Sequence, residues 1–285
     1  MGAAYAGLTG ILDANLMIHS TIIPVTVIIP CFRCAATIER AVQSIVEQTQ
    51  RPTEVILVDD ASGDNTLPVL QQLESQYKGW IKIIVLGENC GASRARNAGW
   101  DAATQPYIAF LDADDSWHPA KLAIQYQVML NNPSIVASGH RCLWLCNQQL
   151  LPDIPDLINL SPVNPLALLF KNRFGAPTSM LKRELAFRFV DNKRYSEDCY
   201  LWQQIAFSGF LLVFIDSSLT YTHKPLYGAS GLSAQLWAME KGELDNFFSL
   251  YQDKKINYGL FLLASAFSLL KYCKRVITTK MRRVG

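Results

Sequence analysis

The chain lacks a strong charge of either sign. Its net charge is +2 over 285 residues, which offers no sign of the basic stripe that a nucleic-acid binder spreads across its fold. It also lacks an even set of cysteines. Seven of them, scattered from Cys31 to Cys273, do not make a disulfide framework, and a reducing, cytoplasmic compartment is the simpler inference. No basic start precedes the apolar, glycine-rich stretch Met1 to Thr21, whose only charge is Asp13, so a secretory signal is not met. The N-myristoylation pattern fails too, because Ala6 stands where Ser or Thr is required. Residues 1–24 are therefore expected to be a poorly ordered or surface-attached lead-in. Long apolar runs are missing as well: Tyr258 to Leu270 falls short of the roughly 20 residues needed to span a bilayer.

What is present is a core-forming chain, half of it hydrophobic, long enough for one large domain or two small ones. From Val25 to Leu130 the pattern alternates strand with helix. Runs at Val25–Ile29, Glu54–Val58, Ile81–Leu86 and Tyr107–Leu111 read as strands. Between them Ala35–Gln48, Asp64–Tyr77 and Gly91–Ala103 read as helices, and Pro119 opens a fourth towards Leu130. Repeated β-α-β units with short connections imply a mainly parallel sheet flanked by helices on both faces. After Leu130 the alternation breaks. Ser134–Ser138 and Arg141–Leu145 look like strands joined by a tight turn at Gly139, and the proline-rich stretch Leu151–Pro165 reads as a connecting loop. Thr178–Leu181 and Leu211–Ile215 read as further strands and Glu197–Phe207 as a helix, a mixed second half added to the same sheet.

Chemistry concentrates at Tyr107–Pro119, Y-I-A-F-L-D-A-D-D-S-W-H-P. Asp112, Asp114 and Asp115 sit at the carboxyl end of a buried strand, where open α/β sheets place their ligands. Charges packed so closely call for a cation, and oxygen-only donors favour Mg²⁺ or Mn²⁺; a solvated turn whose Asp and Ser residues cap a helix is the alternative. Asp59-Asp60 and Glu197-Asp198 recur at similar places, so together the acidic sites suggest a cleft lined by carboxylates that takes a metal and, through it, a diphosphate. Cys31-x-x-Cys34 follows a strand and opens a helix, as a thioredoxin-like pair would. Cys142-x-x-x-Cys146 lacks a His in register for zinc; small core or loop residues account for both pairs.

Five ordered stretches, V-T-V-I-I-P-C-F-R, I-L-V-D-D-A-S-G-D-N-T, N-C-G-A-S-R-A-R-N-A-G, Y-I-A-F-L-D-A-D-D and S-E-D-C-Y-L-W, resemble the family 2 glycosyltransferases of GT-A fold, a Rossmann-like architecture, from about Val25 to His223. The resemblance implies an inverting enzyme that moves a sugar from a nucleotide diphosphate sugar, UDP-sugar favoured, to a hydroxyl of a glycan or lipid-linked acceptor in cell-envelope glycan synthesis. It places Phe32 on the nucleobase with Pro30 beneath, Asp60 as acceptor for the base, and Asp112 on the ribose side. Asp114 and His223 fall to the metal, Mn²⁺ or Mg²⁺, and Asp198 to the catalytic base. Arg94 and Arg96 both fall in a stretch where a guanidinium balances carboxylates or meets phosphate, and Arg94 is placed in the donor set. Trp202, one turn beyond Asp198, lines an acceptor pocket or is a core aromatic. Arg33 departs from the family, standing where many members carry Asn.

The expected domains are the lead-in, a transferase domain over 25–235 with a nucleotide-binding half (25–130) and an acceptor half (131–235), and a helical, basic tail over 236–285. Residues 226–233, rich in Gly and Ser, suit a flap over the donor. In the tail Leu260, Leu263, Phe267 and Leu270 make an apolar stripe, followed by basic residues from Lys271 to Arg283 with no acid among them. Residues 258–283 are thus expected to attach peripherally to an anionic membrane surface on its cytoplasmic face. Two other readings compete: a catalytically silent nucleotide-sugar-binding subunit, and a thioredoxin-like oxidoreductase working through Cys31 and Cys34.

Overall fold

A β-branched run that is apolar on both sides can only be satisfied with a helix layer on each face of its sheet, and the first half of the chain folds that way. The computed structural model describes residues 10–13, 21–145, 152–224 and 234–284, without the side chains of 280–284. Strands β2 (Ile22–Cys31), β3 (Arg51–Asp59), β4 (Ile81–Val85) and β5 (Tyr107–Phe110) pair in parallel in the order β5-β2-β3-β4. Helices α1 (Ile38–Val46), α2 (Thr66–Gln76) and α3 (Ala92–Ala102) connect them. Side chains alternate between two cores. Val27, Ile29, Val55 and Leu57 enter one, while Ile28, Ile56 and Val58 enter the other, under Trp100 of α3.

The second half extends the same sheet. After β6 (Asp115–Trp117) and α4 (Lys121–Asn131) come β7 (Ile135–Trp144), β8 (Leu157–Pro162), β9 (Met180–Lys182), α5 (Glu197–Phe207) and β10 (Leu211–Thr222). Short β9 joins the halves, antiparallel to both β5 and β7. Strand β10 runs parallel to β7 and antiparallel to β8, and its last residues pair with β6, setting Thr222 opposite Asp115.

Three sequence expectations change here. The hairpin at Gly139 is a single strand, β7. The glycine is required by a close approach and not by a turn, since a Cβ there would lie 2.1 Å from the Phe174 ring. The proline-rich connection contains β8, whose prolines sit at or beyond its ends. Part of the lead-in is ordered: Gly10–Asp13 forms β1, antiparallel to β8 at the sheet edge.

The tail is helical, α6 (Leu236–Gln252) followed by α7 (Tyr258–Val284). Phe247 and Leu250 of α6, Ile256 of the connection and Ala264 of α7 form a third core against Leu169 and Tyr200. The stripe expected from spacing is rotated. Leu260, Phe261, Ala264 and Ser268 face inward, whereas Leu263, Phe267 and Leu270 are exposed. Two of the basic residues do have acidic partners, supplied by the neighbouring helix: Lys271 pairs with Glu243 at 2.8 Å and Arg275 with Glu240 at 2.9 Å. Among the described residues no helix is long and apolar enough to cross a membrane. The stretch proposed as a flap, 226–233, lies outside them.

Candidate active site

Strand ends and helix starts on one edge of the sheet enclose a cleft of about 820 Å³, lined by Pro30, Phe32, Asp60, Arg96, Asp112, Asp114 and Asp198 among others. Phe32 stands at the end of β2 with 45% of its surface exposed, an aromatic face left open for a planar partner. Its loop is pinned by Arg33, at φ 49°, whose backbone N–H donates to Ser62 Oγ at 3.1 Å; Ser62 in turn donates to Asp59. Asp59 thus shapes the turn. The carboxylate of Asp60 accepts from the backbone N–H groups of Cys90 and Gly91, both at 2.8 Å, and from Asn89 Nδ2 at 2.9 Å. It holds the loop entering α3, where Gly91 takes φ 85°, and three of its roughly four lone-pair positions are filled.

The acidic run after β5 solves its repulsion three ways. Asp112 accepts from Arg96 Nη2 at 2.8 Å. Asp114 pairs with Lys224. Asp115, buried beside both carboxylates, has its pKa pushed up to about 8, first by burial and then by Asp112 and Asp114, so it carries the proton at neutral pH. Arg96 reaches across the cleft as well, to Glu197 Oε1 at 2.9 Å, and its cation is held well above its ordinary range by the two carboxylates against the cost of burial.

On the opposite wall Glu197 and Asp198 occupy the first turn of α5, where the helix end favours negative charge. Asp198 Oδ1 accepts from Cys199 N–H at 2.6 Å and Oδ2 from Ala176 N–H at 3.3 Å. Burial and then Glu197 raise its pKa to about 7, opposed by Arg96 and by those two N–H donors. A carboxyl poised at neutrality in a cleft is suited to accepting a proton from a hydroxyl.

Two expected residues do not reach the cleft. Arg94 is exposed and absent from its lining, because it lies two positions, about 200°, from Arg96 around α3; Arg96 is the guanidinium inside. His223 is exposed and hydrogen-bonded to Ser116 Oγ at 2.8 Å. Alternation past the end of β10 turns Thr222 and Lys224 into the cleft and His223 away from it. Trp202 is a core aromatic, fully buried with Nε1 donating to Phe174 O at 3.0 Å. Cys31 and Cys34 are free and buried. Burial pushes the Cys31 thiol up while a hydrogen bond from it lowers Cys34, so the first thiol of the pair is not the exposed thiolate that a redox motif needs. Cys146 lies outside the described residues.

For a divalent ion the donors fit. Among the described residues no three His, Cys, Asp or Glu side chains converge into a ready cluster, but Mg²⁺-type ions are commonly held by one or two carboxylates and completed by substrate phosphates. The Lys224 ammonium against Asp114 marks a position where a cation already sits.

The family model for "Glycosyl transferase family 2" matches residues 26–151. The chain is 31% identical over 183 residues to the Escherichia coli UDP-Glc:alpha-D-GlcNAc-diphosphoundecaprenol beta-1,3-glucosyltransferase WfgD, covering 64% of this chain and 69% of that protein. It is 41% identical over 106 residues to the putative teichuronic acid biosynthesis glycosyltransferase TuaG of Bacillus subtilis, 37% of this chain; the match spans only 42% of the length of that relative. In fold it is similar to the mannosyltransferase PcManGT of Pyrobaculum calidifontis, solved with GDP-Man and Mn²⁺, with TM-score 0.66 and 20% identity, covering 90% of this chain and 73% of that one. The S. aureus TarS 1–349 complex with UDP-GlcNAc gives TM-score 0.64 at 17% identity, covering 86% and 71%.

Proposed function

The chain belongs to glycosyl transferase family 2, and from that premise we propose that it transfers a sugar, with inversion, from a nucleotide diphosphate sugar to an acceptor hydroxyl during cell-envelope polysaccharide synthesis. The observation that carries this reading is the Asp198 carboxyl, raised to about 7, in the same cleft as the open ring of Phe32 and the Asp112–Asp114 pair. Phe32 stacks on the base, with Pro30 beneath it and the Asp60 loop beside it. Asp112, oriented by Arg96, takes the ribose side. Asp114 would hold Mn²⁺ or Mg²⁺, which when bound neutralises charge on the departing diphosphate. Asp198 removes the proton from the acceptor hydroxyl as its oxygen closes on the anomeric carbon.

A screen for release of UDP, GDP or TDP with Mn²⁺ or Mg²⁺ tests the reading, with UDP-sugars expected to turn over. Asp114→Asn should weaken metal-dependent UDP binding and leave the fold intact. Calorimetry showing unchanged UDP affinity in Mn²⁺ would take Asp114 out of the metal site. A silent subunit would bind UDP without releasing it from any donor.

The outer face of α7 supports peripheral attachment to the cytoplasmic face of a membrane. Leu262, Leu263, Phe267, Leu269 and Leu270 are exposed on it, whereas Lys271 and Arg275 are engaged by α6. Fully burying one such apolar side chain gains about 1.5–3 kcal/mol and one free charge near an anionic surface about 1 kcal/mol, so insertion should outweigh charge. The full chain should float with anionic liposomes, and Leu263→Glu with Leu270→Glu should not. These outward substitutions leave Phe247 and Leu250 covered, which removal of α7 would not. Flotation of both proteins alike would assign the face to some other contact.

A further inference from the structure

A second pocket of about 400 Å³ adjoins the cleft, sharing Cys142 and Arg173 with it. Its charges are Arg141, Lys171, Arg173 and Asp216. Arg141 is spent on Asp216. Arg173 lies over the Phe214 ring at 4.4 Å and also feels the Asp216 carboxylate without forming an ion pair with it, and Lys171 has no carboxylate partner among the described residues. Three cations against one carboxylate leave a surplus of two positive charges. Asn159 and Ser161 of β8 line the same pocket and add uncharged hydrogen-bonding groups.

The segment carrying Lys171 and Arg173 connects two other features. At one end the Phe170 ring meets Phe267 of α7 edge-on, centroids 5.4 Å apart, and its carbonyl accepts from Lys271 Nζ at 3.1 Å, so the segment starts against the exposed apolar face of α7. At the other end a Cβ on Gly175 would lie 3.4 Å from Asp198 Oδ2, and Ala176 N–H donates to the same oxygen. Five residue steps separate Phe170 from Gly175, at most roughly 18 Å of chain. An apolar surface, a doubly positive pocket and a general base therefore follow one another along a single short stretch.

We propose that this pocket seats a diphosphate joining the acceptor sugar to an apolar chain, so that the chain runs along α7, the diphosphate bridges Lys171 and Arg173, and the sugar hydroxyl faces Asp198. This rests on the transfer reading given above. Charge favours the assignment: a diphosphate diester carries two negative charges and matches the surplus, whereas an acidic sugar offers one. Guanidinium and ammonium groups are the side chains that pair with phosphate oxygens through charge-assisted hydrogen bonds.

The probe is geranyl diphosphate, titrated calorimetrically into the full chain saturated with UDP and Mn²⁺ so that the donor's own diphosphate position is filled. Saturable binding is expected in wild type, weakened by roughly tenfold or more in Lys171→Glu and in Arg173→Gln, the scale of one lost charge-assisted hydrogen bond. Lys171 is exposed and outside the cleft lining, so UDP affinity of Lys171→Glu should match wild type and reports that the fold is intact. Both variants binding the probe as wild type does would overturn the proposal. So would glucuronate binding as tightly as geranyl diphosphate, which would assign the pocket to acidic sugars. Failure of UDP itself to bind would sink the donor reading alone, because the two substitutions still decide the pocket.

Discussion

Asp198→Asn should lower sugar transfer by roughly 10²-fold to 10⁴-fold, the contribution usual for a positioned acid or base, while UDP affinity stays at the wild-type value. The amide keeps the size of the side chain and one acceptor oxygen for the Ala176 or Cys199 N–H, but it cannot take a proton. The working form is the ionised carboxylate. With a pKa of about 7, wild-type turnover should fall as pH drops through 7, and that limb should vanish from the residual activity of the variant. The same shift bears on stability with opposite sign. The folded state holds this proton more tightly than the unfolded chain, whose carboxyl titrates near 3.8, so the stabilisation is fully present below about 3.8 and is lost as pH rises through about 7. Asp198→Asn should therefore be at least as stable as wild type at pH 8 in urea denaturation. Collapse of UDP binding in the variant would make Asp198 a structural or metal-holding residue instead.

The parallel half of the sheet was legible because a strand buried on both faces leaves a continuous apolar run, as Val25–Ile29 and Glu54–Val58 do, and because the acidic motifs stand where such strands end. Local pattern failed where one residue type has two uses. Gly139 reads as a turn, yet it clears space for the Phe174 ring; the prolines near β8 read as a loop, yet they bracket a strand. It failed again where neighbours point opposite ways. Arg94 and Arg96 differ by two positions on a helix, and His223 and Lys224 by one position past the end of a strand. The family resemblance marked both stretches, one for a guanidinium and the other for His223 at the metal, and only the backbone path decides which side chain turns inward. Partners distant in the chain could not be read at all. Lys224 meets Asp114 across 110 positions, Arg96 meets Glu197 across 101, and Lys271 and Arg275 find their acids on another helix.

Arg96 is the residue through which these walls are coupled, and Arg96→Met should destabilise the fold by about 3–5 kcal/mol, the usual result of removing one member of a buried ion pair. The side chain is 5% exposed, bridges Asp112 and Glu197 and lies 5.3 Å from the Phe189 ring centroid. Methionine retains most of the packing but leaves two carboxylates unbalanced. The Asp112 side chain, 32% exposed, can rehydrate, whereas that of Glu197, at 14%, is less free to do so, which places the expected loss at the lower end of the range. A lysine carries the charge without the planar fork that meets two carboxylates at once, so Arg96→Lys should fall between. A second readout separates electrostatics from packing. Glu197 raises the Asp198 pKa and Arg96 lowers it, so losing the guanidinium removes the opposing charge, and the limb of the pH–rate profile should move above 7 in Arg96→Met and less in Arg96→Lys. If stability falls but the limb stays at about 7 in both variants, Arg96 holds the walls together without setting the charge state of the base.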